Sequence, residues 1–257
     1  MATIHPTAII DEGGVLAEDV TVGPYSIIGP GVMIGRGTMI GSRVLIEKRT
    51  KIGSNCKVHT GAIVGTDPQD LKFQGEDTEL IIGDRTVIRE YATLNRGTQM
   101  TGRTQIGSDC FIMAYVHIAH DCYIGDHVIL ANAVNMAGHV MIEDHVTVGG
   151  ITPIHQFVRI GKYAFIGGGS RVNKDVPPFV RAVGNPLILS GLNSVGLARH
   201  GVPEDIRVEL KRAYRIFFRS DLDISKALQR AREELKPYPE IQSFIEFIEK
   251  SKRGITI

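Results

Sequence analysis

Residues 106–129 read IGSDCF IMAYVH IAHDCY IGDHVI when broken into sixes, and every unit opens on isoleucine. The same frame fits the start of the chain from Ile4: IHPTAI, IDEGGV, LAEDVT, VGPYSI, IGPGVM, IGRGTM. Stepping by six from position 4 to position 172, only Asp70 and Glu76 among the leading residues are not apolar. The fifth position of each unit is small, mostly Ala, Val, Ser, Thr or Cys, and it holds all three cysteines, Cys56, Cys110 and Cys122. Neither a helix nor an alternating strand has a period of six. A short strand followed by a turn does. Three such units per triangular coil place residues 18 apart on neighbouring coils about 4.8 Å apart, with first and fifth positions inside. The predicted fold is therefore mainly β, a parallel β-helix. The cysteines are its small core fillers. The frequent second-position glycine suits a turn that needs positive φ or close backbone approach.

Two stretches interrupt the pattern. Residues 66–80, TDPQDLKFQGEDTEL, are polar, and residues 95–105, NRGTQMTGRTQ, hold the frame only through Met100. Both are expected to be loops thrown out of the solenoid, where function tends to sit. After Val172 the repeat ends at DVPPFVRAVGNP. The expected division is a β-helix over 1–186 and a small α-helical domain over 187–257. Helices are predicted from Pro203 to about Arg219, from an Asp223 cap to about Leu235, and from Pro239 to about Ser251. The first carries an apolar stripe (Ile206, Leu210, Ala213, Tyr214, Phe217) and a basic face (Lys211, Arg212, Arg215, Arg219). That face is either solvated surface or a dock for an acidic carrier protein.

Charge excludes some roles. The chain's 29 Lys plus Arg and 28 Asp plus Glu give +1, so no bulk attraction to nucleic acid or a membrane surface is expected. No apolar run reaches the roughly 20 residues of a membrane span, and MATIHPTAII lacks the pattern of a secretory signal. An odd count of three cysteines without a disulfide spacing pattern fits a reducing compartment, and a cytoplasmic location is expected.

The period also sorts the histidines. His120 is a third-position residue, and third positions face outward. Adding 18 gives Gly138 and adding 36 gives Gln156, with His139 and His155 beside them and His117 just before. These residues share one corner. His127 and His145, also 18 apart, form a separate stack with the character of surface decoration. A zinc site like that of a γ-class carbonic anhydrase is one reading of the corner. Asp121 directly after His120 favours an oriented general base instead, so no metal is expected.

Longer motifs carry a resemblance. HIAHDC, AGHV, IHQF, QDLKF, the stretch around ATLNRGT, NSVGLAR and the DVPPFV…GNP segment together resemble the UDP-N-acetylglucosamine O-acyltransferase family of lipid A biosynthesis, along the whole chain. The resemblance implies a left-handed coil. It implies transfer of a 3-hydroxyacyl chain from acyl carrier protein to the 3-position, hydroxyl or amine, of UDP-N-acetylglucosamine. His120 would be the base, Asp121 its orienting partner and the Gly138 N–H the oxyanion donor. Asp70, Lys72, His117, His139, Gln156, Asn193 and Arg199 would contact substrates, and Gly168 with Pro186 would set chain length. It implies a homotrimer whose loops reach a neighbour's histidines, and no cofactor beyond the phosphopantetheine of the carrier protein. Val195 and His200 depart from the family pattern, which commonly has an acidic and a basic residue there. Rival readings are a later N-acyltransferase of the same pathway, whose extra N-terminal domain would precede Ile4, a coenzyme A-dependent acetyltransferase of the same fold, and a purely structural solenoid.

Overall fold

The computed structural model describes residues 1–257. Its strands are mostly two residues long and pair in parallel into three sheets, one of eleven strands and two of eight. These are the three faces of a left-handed β-helix. The chain visits the eleven-stranded first face at Thr3–Ile4, the second face at Ile9–Ile10 and the third face at Val15–Leu16. It returns to the first face at Thr21–Val22, and Thr3 pairs with Thr21 and Ile4 with Val22. One coil is thus three hexads, as the period requires. First positions such as Ile28, Ile46, Ile88, Ile118 and Ile142 are fully buried, as are Cys56, Cys110 and Cys122 in the fifth. Fifth-position hydroxyls are satisfied across coils. Ser26 Oγ donates to Gly41 O at 2.7 Å, and Thr38 Oγ1 to Gly53 O at 2.8 Å.

The turn chemistry differs in part from the sequence reading. Positive φ falls on the fourth position of the unit. Every non-glycine residue with positive φ except Phe179 is a fourth-position residue, among them Asp121 (59°), His139 (61°) and Phe157 (64°). Their N–H groups bond across coils, His139 to His120 O at 3.0 Å and Phe157 to Gly138 O at 3.2 Å. Each left-handed residue costs about 1 kcal/mol, and the inter-coil bond offsets it. The second-position glycines serve the other role, close approach. A Cβ on Gly35 would stand 2.6 Å from Gly53 C, and one on Gly23 would stand 2.7 Å from Gly41 C.

Both interruptions leave the coil at the corner between the second and third faces. Where Thr3 pairs with Thr21 in an uninterrupted coil, Thr50 pairs with Leu80 across the first interruption, and Glu79 with Arg103 across the second. The first insertion therefore adds two hexads to its coil and the second adds one. Both are whole hexads, which is why the frame survives them in the sequence.

After the last coil, an antiparallel hairpin of Val180–Val183 and Ile188–Leu192 extends the first face. The expected boundary at 186/187 lies inside this hairpin. Four helices follow: α1 (Ser194–Arg199), α2 (Glu204–Phe218), α3 (Ile224–Glu234) and α4 (Pro239–Glu249). The last three match the predicted spans closely. Asp223 caps α3 by accepting from Lys226 N. The short α1 was not expected; Asn193 caps it. Tyr214, Phe217, Phe218 and Phe244 pack the helical domain together. On the basic face of α2, Arg212 pairs with Glu209 and Arg219 lies over the Tyr214 ring. Lys211 and Arg215 stay exposed. No helix is long and apolar enough to cross a membrane.

The two glycine roles separate in stability. Gly35→Ala forces backbone apart and is expected to cost about 2 kcal/mol. Gly31→Ala has open space around it at φ 69° and should cost about 1 kcal/mol. Urea denaturation of both variants checks this; equal losses would sink the close-approach account.

Candidate active site

The corner between the second and third faces stacks the early turns at Glu12–Gly13, Pro30–Gly31 and Lys48–Arg49, then both insertions, then His120–Asp121, Gly138–His139 and Gln156–Phe157. A cleft of about 640 Å³ opens there, and Asp70, Lys72, His120, His139, Gln156 and Phe157 are among the residues lining it. The first insertion therefore lines one cleft with the histidines of its own chain. Arg96, buried at the root of the second insertion, holds the first one in place. It pairs with Asp67, donates to Gly65 O at 3.4 Å, and lies 5.3 Å from the Phe73 ring centroid. Within the loop, Asp70 Oδ1 accepts from Lys72 N at 3.0 Å, a turn that fixes both residues at the cleft wall.

His120 and Asp121 occupy adjacent third and fourth positions. The left-handed turn brings their side chains together: His120 Nδ1 lies 2.7 Å from Asp121 Oδ2. Nε2 is left free, facing Gly138. A Cβ on Gly138 would stand 2.6 Å from His120 Cε1 and 2.7 Å from Nε2, so any larger residue here would displace the imidazole from its observed place. Gly138 is buried, and its N–H donates to no protein acceptor. The Asp121 side chain has no exposed surface. Burial pushes its carboxyl up, but hydrogen bonds from Thr101, His120 and Thr98 outweigh that and hold it below the ordinary range. Burial pushes His139 down, and the neighbouring His120 ring adds to this against the pull of Asp121 and Asp70. Burial likewise lowers His117, whose Nδ1 lies 2.8 Å from Thr93 Oγ1. Both rings are therefore neutral at pH 7 and can exchange hydrogen bonds with hydroxyls. Phe157 stacks on His139 with centroids 4.5 Å apart.

The ligand atoms of His120, Asp121 and His139 lie within 4.8 Å of one another, close enough to be weighed as a metal site. Their arrangement is that of a hydrogen-bonded dyad. Asp121 spends both oxygens on His120, Thr98 and Thr101, which leaves it a poor ligand.

The remaining predicted residues lie on other corners. Asn193 and Arg199 line a second cleft of about 610 Å³ between the third and first faces, with His145 and His200. The Asn193 side chain is engaged in structure: Oδ1 accepts from Gly196 N at 3.2 Å and Nδ2 donates to Tyr163 O at 2.9 Å. Arg199 is exposed. The His127–His145 stack exists as read, with centroids 4.6 Å apart, and continues to Tyr163. His127 is exposed, but His145 is half-buried against His200 and walls this cleft, so decoration does not describe it. Gly168 sits exposed on the third corner, and the hairpin turn that carries Pro186 is tied beside it by Gly184 N to Ser170 Oγ at 2.9 Å. His155 turns away from the first cleft and meets Arg253 at 2.8 Å. Sequence reading missed Thr98, Thr101 and Phe157. The last was within reach, since it stands one coil after His139.

Comparison with known proteins agrees with this architecture. Residues 175–256 match a family model described as UDP-N-acetylglucosamine O-acyltransferase, domain 2, and residues 103–138 match one for bacterial transferase hexapeptide repeats. The chain is 59% identical over 248 residues to the acyl-[acyl-carrier-protein]–UDP-N-acetylglucosamine O-acyltransferase of Chlorobaculum tepidum, covering 96% of this chain and 94% of that one. It is 48% identical over 257 residues to the Myxococcus xanthus protein of the same name, with complete coverage of both. The solved UDP-N-acetylglucosamine O-acyltransferase of Moraxella catarrhalis superposes with a TM-score of 0.96 at 44% identity, over 99% of each chain. With relatives this similar along their full length, the chain belongs to the UDP-N-acetylglucosamine O-acyltransferase family.

Proposed function

We propose that this chain transfers a 3-hydroxyacyl group from acyl carrier protein to the 3-hydroxyl of UDP-N-acetylglucosamine, the first step of lipid A biosynthesis. The observation that carries the reading is the His120–Asp121 dyad with its free Nε2 beside the unpartnered N–H of Gly138, in a covered cleft. Nε2 takes the hydroxyl proton as the sugar oxygen attacks the thioester carbonyl. The resulting oxyanion accepts from Gly138 N–H, and one such donor is worth about 3 kcal/mol. As the tetrahedral intermediate collapses, the C–S bond breaks and the imidazolium returns a proton to the departing thiolate. Asp121 keeps the proton on Nδ1 throughout. No covalent nucleophile or cofactor is required, because the donor carries its own phosphopantetheine.

Neutral His117 and His139, together with Gln156, Asp70 and Lys72, suit sugar hydroxyls, an acetamido group and the incoming thioester. Arg199 suits a diphosphate. The candidate residues sit on three different corners of one prism, and a single chain does not bring Arg199 and Gly168 to His120. A homotrimer, whose corners meet across subunits, supplies the missing walls. The buried free cysteines and the acyl carrier protein donor favour a cytoplasmic setting.

The deciding experiment incubates the protein with UDP-N-acetylglucosamine, its 3-amino analogue and 3-hydroxyacyl carrier proteins of several lengths. Transfer to the hydroxyl is expected; no product from any pair would end the reading. His120→Ala should fold as wild type and lose at least about 100-fold in kcat. Arg199→Ala should raise KM for the nucleotide sugar about 10-fold with a smaller effect on kcat. Because Asp121 stays ionised through the working range, the acid limb of the kcat profile should belong to one imidazole and vanish with it. A limb that persists in residual His120→Ala activity would contradict the assignment.

A further inference from the structure

The second insertion turns part of itself inward. Asp121 Oδ1 accepts from Thr98 N–H at 3.0 Å and from the Thr101 hydroxyl; Oδ2 accepts from the Thr98 hydroxyl at 2.7 Å and from His120 Nδ1–H at 2.7 Å. The Asp121 N–H donates to Thr104 Oγ1 at 2.8 Å, which fixes the backbone as well. The Thr98 hydroxyl accepts from Met100 N at 3.3 Å, so its single proton is aimed at the carboxylate. The Thr101 proton has two acceptors in reach, Arg103 O at 2.9 Å and the carboxylate, and the ionised group is the stronger one. The next coils carry no insertion at this corner and have no equivalent clamp.

We propose that Thr98 and Thr101 are positioning residues for the acyl transfer, holding the Asp121 carboxylate so that Oδ2 meets His120 Nδ1 and Nε2 stays over Gly138. This rests on the general-base reading above. The threonines act on the base in two ways. They lock the carboxylate rotor, and so aim the imidazole. They also draw on carboxylate charge that would otherwise bind Nδ1–H more tightly and stabilise the imidazolium. The other ionisable groups around the imidazole are His139, with Nε2 3.7 Å from Asp121 Oδ2, His117, and Asp70, Lys72 and Glu76 of the first insertion. All of these remain in place when the threonines are changed.

The test is a double variant, Thr98→Val with Thr101→Val, beside the double serine variant that keeps both hydroxyls. The valine pair should lose roughly 10-fold in kcat, hold KM for UDP-N-acetylglucosamine within about two-fold, and move the acid limb of kcat to higher pH. The serine pair should stay near wild type in all three. A second measurement needs no substrate. Carbethoxylation of His120 by diethyl pyrocarbonate, followed against pH by peptide mass spectrometry, should show its midpoint move upward in the valine pair alone. An unchanged midpoint and unchanged kcat in the valine pair would overturn the proposal, as would serine variants that fail as badly as valine ones. If the double valine variant does not fold, the Thr101→Val single, at the rim of the loop, carries the same readouts. A wild-type protein without acyl transfer would strike the functional reading and leave the carbethoxylation result to stand on its own.

Discussion

Coils that must lie about 4.8 Å apart impose one constraint from which the rest follows, because each residue then packs on its own counterpart one coil away. A first-position isoleucine meets another aliphatic above and below, and the core becomes a stack of equivalent layers. A second-position residue meets backbone, so glycine is required where coils approach most closely. The fourth position must turn left-handed, at a cost, and recovers it through a hydrogen bond to the coil before. Departures are tolerated only at corners, where a segment can leave and return without disturbing the layers. Both insertions obey this.

The same constraint explains why the chemistry gathers where it does. A corner presents one third-position and one fourth-position side chain per coil at fixed spacing. His120, Gly138 and Gln156 come from the first column, and Asp121, His139 and Phe157 from the second. Neither column alone makes a site, because a bare solenoid corner is convex. The insertions supply the concavity, and they can cover the histidines because they emerge from the same corner immediately below. Arg96 ties the two loops to each other, so the cleft wall is one cross-linked unit.

Much of this was legible in the sequence, for a physical reason: period, core filling and corner sharing are all consequences of stacking, and stacking is periodic. The cysteine slots, the two loops, the three longer helices and the His120 corner all follow from counting. The fourth-position turn was harder to see. Asp, Tyr, Arg, His, Ala, Ile, Phe and Gly all occupy it, so side-chain chemistry gives no signature, and the second-position glycines that stand out serve close approach instead. The Thr98 and Thr101 contacts were hidden because they depend on how a non-periodic loop folds back. Asn193 shows another contact that counting does not reach: its side chain caps α1 and donates to Tyr163 O while it lines the second cleft.

The burial of Asp121 is the least expected energetic feature, since an ionised carboxylate out of water is costly unless hydrogen-bonded throughout. An exposed aspartate would avoid that cost but would spend its charge on solvent and hold the imidazole loosely. A buried one without donors would be pushed toward its neutral form, and a neutral carboxyl could not keep Nδ1 protonated. The observed arrangement meets both demands by adding donors from a loop to the one that His120 supplies. The fourth-position N–H groups of the coil are already bound to the preceding turn, as His139 N is to His120 O. The second insertion therefore has two surfaces with different tasks. Gln99 and Met100 face the cleft, and Thr98 closes over the carboxylate that the base depends on.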